Sequence, residues 1–424
     1  MSTDRKLHIG LSLTPTWLKG QRPHPDEALS AGMGPVEYYA ELAQAAERAK
    51  LDFVFRPDYL VMNQAMAAHS PTFVGLDPTM MLASIARETE KIGLVTTAST
   101  TFNPPYIVAR QIQSLHWISN GRAGWNIVTS IEGAENFGDE PMPAPEVRYR
   151  KAAEFTDLVR HLWASYPGSS SSAPVQAIDH AGEFFHVKGP LNVPGHDAGP
   201  PPLFQAGASE IGRSFAASVA DATFAAMPDI GDGIELRADL RRRAERHGRS
   251  ADAVRVLPGL YFFLARTREE AWKLHARAHA HLTRERRVAA LKAVLGLDVG
   301  ALAPDSRITA DLLPASEHPV RSRTHADLLR RFILAKNPTM EEVLARPEVV
   351  GSAHWVSVGT VDDVLNDIVE RFEAGALDGF IALPGGSVNS LNLFFEELVP
   401  ALVERGLFRR DYEGSTLRQH LGIR

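Results

Sequence analysis

Four short segments end in side chains suited to holding a polar ligand. FRPD (55–58) places the carboxylate of Asp58 just past an apolar run, and TTASTTFNPPY (96–106) gathers hydroxyls, an amide and two prolines. NIVTS (126–130) supplies Asn126 and Ser130, and QAGASEIGR (205–213) supplies a glycine turn followed by Ser209. Hydroxyls and amides offer many neutral donors and acceptors with few full charges. Such a set suits a planar heterocycle carrying a polyol phosphate tail. In the fourth segment Ser209 stands at a helix start, where free backbone N–H groups and the helix dipole favour an anion. Arg213, one turn further, is placed to assist. Taken singly, Ser and Thr after a strand also cap the next helix, and Asp58 also serves as a turn residue.

Other chemistries are excluded or poorly supported. The chain has no cysteine, so disulfides, thiolate metal sites, iron–sulfur clusters and a cysteine nucleophile are ruled out. QAGASEIGR is no nucleotide P-loop, because Arg213 and Ser214 follow its second glycine, and no GxGxxG fingerprint occurs. His275 and His279 stand four apart on a predicted helix with His281 nearby, but no intervening Glu or third ligand accompanies them; we expect a solvated helix and no metal. A hydrolase would want paired carboxylates, and Asp58 stands almost alone at the strand ends. The basic run at 237–249 reads as the solvated face of a helix, and a net charge of −6 with no aromatic-laced basic stripe argues against nucleic acid.

The elements that must position these residues follow from the apolar pattern. Strands are predicted at 7–13, 52–57, 91–99, 124–130, 202–207, 222–227, 256–265 and 379–384, separated by helix-period segments. The clearest helix spans 361–374, with Thr360 to cap its start and Gly375 its end. Strands apolar on both faces and joined by crossover helices are parallel, and eight such units favour a closed (β/α)8 TIM barrel over a doubly wound sheet. The 424 residues, 44% of them hydrophobic, are read as a single barrel domain, 1–424, with insertions at about 166–183 and 297–358, the latter a long irregular stretch. His318, Arg321, Arg323 and His325 fall in that second insertion, which reads as an exposed charged loop ahead of a lid over substrate. In a TIM barrel the site forms at the C-terminal ends of the strands. No run approaches a membrane span, and MSTDRKLHIG lacks the apolar segment of a secretory signal, so a cytoplasmic location is expected.

IGLVTTASTTFNPPYIVARQ, SNGRAGWNIVTS, ENFG, RYRKAAEF, GEFFHVKGPLNVP, QAGASEIGRSFAA, GTVDDVLNDIVERFEAGALDGF and VERGLFRRDYEGSTLRQHLG occur in this order. Together they resemble the bacterial luciferase-like flavin monooxygenases, in the branch of the nitrilotriacetate, dibenzothiophene sulfone and long-chain alkane monooxygenases. The resemblance implies a TIM barrel that takes reduced FMN from a separate NAD(P)H:flavin reductase and uses O2 to oxidise a small organic substrate at C, N or S, with C–N or C–S cleavage as a further outcome. It also implies a homodimer or homotetramer. Carried over by position, Asp58 faces the isoalloxazine edge, Thr97, Thr101 and Asn126 line the flavin cleft, and Ser130, Tyr149 and Ser209 contact the ribityl phosphate. Trp17, His24, Phe55, Ile131 and His318 are the substrate-facing candidates. This chain departs from the pattern in having Pro145 four residues before Tyr149, where many members have His, and Ile131 where the alkane enzymes have His. Its first loop, LTPTWLKGQRPHP, replaces a Gly-His-rich pattern. Two rival functions remain: a deazaflavin (F420)-dependent oxidoreductase on the same barrel, and a non-catalytic flavin-binding protein.

Overall fold

The computed structural model describes residues 5–14, 36–61, 75–138, 141–315, 320, 322–350 and 353–423. Nine parallel strands form the main sheet: β1 (His8–Ser12), β2 (Phe53–Arg56), β3 (Gly93–Ser99), β4 (Ala123–Val128), and, beyond a small antiparallel hairpin of β5 (His180–Ala181) and β6 (His186–Val187), β7 (Leu203–Ala206), β8 (Ala222–Ala225), β9 (Arg255–Leu264), β10 (Trp355–Gly359) and β11 (Gly379–Pro384). Eight of them, in the order β1-β2-β3-β4-β7-β8-β9-β11, close on themselves because β11 pairs with β1. These are the eight strands expected from the apolar runs, and the fold is a (β/α)8 TIM barrel with its helices outside.

β10 was not expected. It runs parallel to the far half of β9, with Trp355 opposite Leu260 and Gly359 opposite Leu264, while β8 pairs only with Arg255–Pro258. β10 thus takes over the edge of β9 where β8 stops. Its five residues alternate buried and half-buried, a period-2 signal too short to stand out in sequence. The irregular stretch expected at 297–358 is corrected in the same way. Among its described residues are helices Arg323–Lys336, Met340–Leu344 and Pro347–Val350, which pack with the preceding helix Arg284–Leu295 around Leu291, Leu295, Leu329, Ile333, Met340 and Val343. Ser322 and Thr339 cap two of them, Thr339 in a reciprocal capping box with Glu342. Val361–Glu373 is helical as expected. Thr360 and Asp363 form its capping box, and Gly375, at φ +74°, turns the chain out of it.

The barrel interior is filled by alternate strand residues: Phe53 and Phe55 of β2, Val95 of β3, Phe204 of β7, Ala222 of β8, Leu257 of β9 and Ile381 of β11. Its floor, at the N-terminal ends of the strands, is closed by Leu417 of the last helix, Leu417–His420, and by Leu421 just after it. Gly93 and Gly124 make room for Leu417. A Cβ on either would lie 2.5 or 2.7 Å from its methyl groups. Charged groups on the floor are bonded several times over. Arg122 donates to the carbonyls of Ser119, Ile92, Ala86 and Thr89 and to Thr89 Oγ1, at 2.7 to 2.9 Å. Fully buried Asp52 pairs with Arg409, contacts His8 Nδ1 at 3.1 Å and accepts from Ile9 N–H at 2.7 Å. Burial opposes its ionisation, but these partners outweigh that and hold its pKa below the ordinary carboxylate value.

Candidate active site

At the other end of the barrel the strand register places polar side chains side by side. Thr97 of β3 lies opposite Asn126 of β4. Asn126 Nδ2 donates to Thr97 Oγ1 at 3.0 Å, and Thr97 donates in turn to the Arg56 carbonyl at 2.7 Å. That chain fixes the amide and leaves Asn126 Oδ1 buried with no partner; Thr101 Oγ1 is buried and unpartnered as well. The ends of β3 and β4 are tied by a 2.8 Å bond between the hydroxyls of Ser99 and Ser130, and Ser99 Oγ also accepts from Thr101 N–H at 3.2 Å. From the helix Pro145–Ser165, Lys151 donates to the Thr101 carbonyl at 2.7 Å and holds the loop down. Asp58, just past β2, accepts from Tyr59 N–H at 2.9 Å. Partial burial raises its pKa, Asp77 adds to the rise and Arg56 opposes it.

A second cluster forms where the helix Glu210–Val219 begins. Ser209 is its N-cap and accepts from Gly212 N–H at 3.3 Å. Tyr149 reaches in from the helix Pro145–Ser165, its ring held edge-on to Phe215 with centroids 5.8 Å apart. A Cβ on Gly212 would lie 2.8 Å from Tyr149 Oη and 3.1 Å from Ser209 Oγ. A Cβ on Gly207 would lie 3.2 Å from Tyr149 Oη and 2.9 Å from Gln205 Nε2. Two hydroxyls and an amide therefore converge over bare backbone, at the positive end of a helix. Gln205 Oε1 and Arg148 Nε are both buried without partners, and burial lowers the pKa of Arg148. Arg213 does not join this cluster. Its Nε donates to the Ala208 carbonyl at 2.8 Å and its Nη1 to Glu235 at 2.7 Å and Asp239 at 3.3 Å, so it braces the turn from behind.

Asp58, Thr97, Thr101, Asn126 and Ser130 are thus gathered at one side of the mouth, and Tyr149 and Ser209 at the helix start. Phe55 is buried in the inner wall, its ring 5.5 Å from that of Phe224. Ile131 is exposed at the rim after β4. Trp17, His24, His318 and Arg321 lie outside the described residues. Sequence reading missed Ser99, Arg148 and Gln205, although each lies within or beside a quoted motif; only packing reveals their burial. It also misjudged His275 and His279, of which the first is half-buried and the second buried. Their rings are 4.3 Å apart and pack against Phe263, with His279 also against Tyr261. Burial, with His279 beside it, pushes the His275 pKa down to about 4. No group of three or more potential metal ligands occurs among the described residues.

A buried polar atom without a partner costs about 1–3 kcal/mol, and four of them near the strand ends mark a place shaped for a ligand. The inner-face cluster offers an acceptor at Asn126 and a hydroxyl at Thr101, as a flat polar ring requires. The helix-start cluster offers hydroxyls, N–H groups and a cation, as an anionic tail requires. Both ends of the ligand type inferred from sequence have a fitting surface.

The sequence profile described as luciferase-like monooxygenase matches residues 18–378. Nitrilotriacetate monooxygenase component A of Aminobacter aminovorans is 36% identical over 414 residues, covering 92% of this chain and 90% of that protein. N-acetyl-S-(2-succino)cysteine monooxygenase of Bacillus subtilis is 34% identical over 415 residues, covering 94% and 92%. Among solved structures, EDTA monooxygenase from Chelativorans sp. BNC1 superimposes with a TM-score of 0.82 at 28% identity, over 99% of both chains.

Proposed function

The chain belongs to the luciferase-like monooxygenase family and is a flavin-dependent monooxygenase, and from the two polar clusters we propose that its cofactor is reduced FMN, delivered by a separate NAD(P)H:flavin reductase. The observation that carries this reading is the approach of Tyr149 Oη to both Gly207 and Gly212, with Ser209 Oγ at Gly212, together with the orphaned oxygens of Asn126 and Thr101. Bound reduced FMN would supply the oxygen-activating chemistry. Ser209, Tyr149 and the first N–H groups of the helix would hold its phosphate, with Arg148 as the nearby cation. Asn126, kept in place by Thr97, and Thr101 would meet the ring's polar edge, and the Ser99–Ser130 pair would flank the ribityl chain. Asp58, with its raised pKa, stands where a proton could be held at the ring's edge. The enclosing aliphatic and aromatic walls would keep water from the reacting centre.

The substrate is proposed to be a small organic molecule oxidised at C, N or S. The protein is further proposed to assemble as a homodimer or homotetramer, a reading supported by Met80 on the helix Pro78–Ile85 and Ile107, Trp117 and Ile118 on the neighbouring helix Pro105–Ile118, all exposed. The decisive experiment is anaerobic titration with reduced FMN, followed by exposure to air. Nitrilotriacetate, N-acetyl-S-(2-succino)cysteine, dibenzothiophene sulfone and related compounds are then screened by mass spectrometry. Gain of one oxygen atom supports the reading. Hydride transfer from a deazaflavin without oxygen uptake, or flavin binding with no product, would overturn it.

A further inference from the structure

The mouth has a second half, across from the hydroxyls. Phe224 near the end of β8, Gly259 midway along β9 just past where β8 stops, and Leu383 near the end of β11 are inner-face positions on three successive strands. His354 sits over all three. Its ring stacks on Phe224 with centroids 5.1 Å apart and planes at 24°, and Phe224 lies in turn against Phe55. A Cβ on Gly259 would come within 2.7 Å of His354 Nδ1 and of a Leu383 methyl. The missing side chain at 259 is therefore the notch in which the imidazole rests.

The direction of the side chain follows from register. His354 immediately precedes β10, and because Trp355 is level with Leu260, His354 is level with Gly259. Strand alternation puts it on the same side as Val356 and Val358, which pack with Tyr261, Phe263 and Leu383. Trp355 points the other way, beneath Arg371 and against Phe380. An imidazole set into an apolar and aromatic wall, at the level where the barrel opens, provides a hydrogen-bonding nitrogen on a surface otherwise suited to hydrocarbon or aromatic rings.

We propose that His354 positions the organic substrate: one ring nitrogen hydrogen-bonds a polar atom of it, while its apolar part lies on Phe55, Phe224 and Leu383, facing the half of the mouth that holds the cofactor. The proposal rests on the monooxygenase reading above. It also gives the substrate a class, a molecule with an apolar or aromatic face and a heteroatom at its edge.

The test compares wild type, His354→Ala, His354→Gln, His354→Phe and Gly259→Ala, using the compound from the panel above that wild type oxidises. Loss of one hydrogen bond to substrate should raise KM about tenfold in His354→Ala. Product formed per O2 consumed should fall as peroxide release takes over. His354→Gln should recover most of the coupling and His354→Phe none. Gly259→Ala, which displaces the ring without removing it, should resemble His354→Ala and add nothing to it in the double variant. Affinity for reduced FMN, measured anaerobically, and the melting temperature should stay within twofold and two degrees of wild type, on the order of experimental scatter. Unchanged KM and coupling in His354→Ala would overturn the assignment alone, as would a parallel loss of reduced-FMN affinity. If wild type binds reduced FMN but oxidises no compound of the panel, the proposed substrate range fails and the assignment falls with it.

Discussion

Two groups of buried polar side chains, one at each end of the barrel, are treated in opposite ways. On the floor, Arg122 makes five hydrogen bonds and Asp52 is bonded by Arg409, His8 and the Ile9 amide. At the mouth, Asn126 Oδ1, Thr101 Oγ1, Gln205 Oε1 and Arg148 Nε have been taken out of water and given nothing in return. Burial is similar, so the difference lies in purpose. A satisfied buried group strengthens the native state, whereas an unsatisfied one weakens it until a ligand arrives. Substitutions on the floor should therefore act on stability, and those at the mouth on binding.

The sharpest trial of that division is Asp52→Asn, which leaves Arg409 buried against a neutral partner. It should cost about 3–5 kcal/mol in chemical denaturation, with reduced-FMN affinity of the remaining folded protein unchanged. Leu417→Ala should cost about 3 kcal/mol by opening a cavity beneath β3 and β4, again without affecting affinity. His116, fully buried on the helix Pro105–Ile118 with Nε2 3.0 Å from the Gly199 carbonyl, extends the contrast to pH. Burial, with His196 beside it, pushes its pKa from 6.5 down to about 4. The unfolded chain then binds a proton more readily than the folded one, so stability is full above pH 6.5 and declines as pH falls toward 4. The loss should reach about 3 kcal/mol, and His116→Asn should flatten that slope in melts taken across the range.

Smaller effects are expected at the mouth, where the readout changes. Ser209→Asp keeps a good N-cap but sets a negative charge where the phosphate is proposed to bind. Reduced-FMN affinity should fall at least about tenfold while the melting temperature holds, as a fluorescence titration and a thermal scan would show. Asn126→Ala should be the mildest, changing stability by less than about 1 kcal/mol because the lost bond to Thr97 is offset by removal of an orphaned oxygen. Its affinity should still fall a few-fold. A destabilised Ser209→Asp, or an Asp52→Asn that weakens cofactor binding, would break the comparison.

The eight barrel strands were legible because parallel strands covered on both faces read as unbroken apolar runs. β10 was not, since its outer half is covered and its inner half only partly, which leaves a five-residue alternation without emphasis. The helices beyond residue 297 were hidden because their core is formed only among themselves and with the preceding helix Arg284–Leu295. The candidates proposed from sequence, Asp58, Thr97, Thr101, Asn126, Ser130 and Ser209, were picked because their type is unusual at or just past a strand end. Arg213 was misplaced because its partners, Glu235 and Asp239, lie on the next helix. His275 and His279 were read as solvated because nothing in their own helix tells that β9 runs past the rim to meet them. Arg148, next to Tyr149 in the same motif, needed burial to be noticed.

β10 also bears on how such a barrel can change. Ninety residues leave β9 after Leu264 and return at Trp355, yet the eight strands close through pairings that use none of them. Among the described residues the segment's strand pairing to the barrel is one seam, five register pairs along β9, and Arg331 with Asp232 and Arg346 with Asp229 tie its helices to the start of the helix Ile230–Arg246. Its helices can be lengthened, shortened or replaced without reopening the cylinder, provided the seam keeps its alignment. A shift of that seam by one residue would turn His354 away from the opening and Trp355 into it. The protein can thus be retailored above the rim while the clusters proposed to hold the cofactor, on the opposite strands, stay as they are.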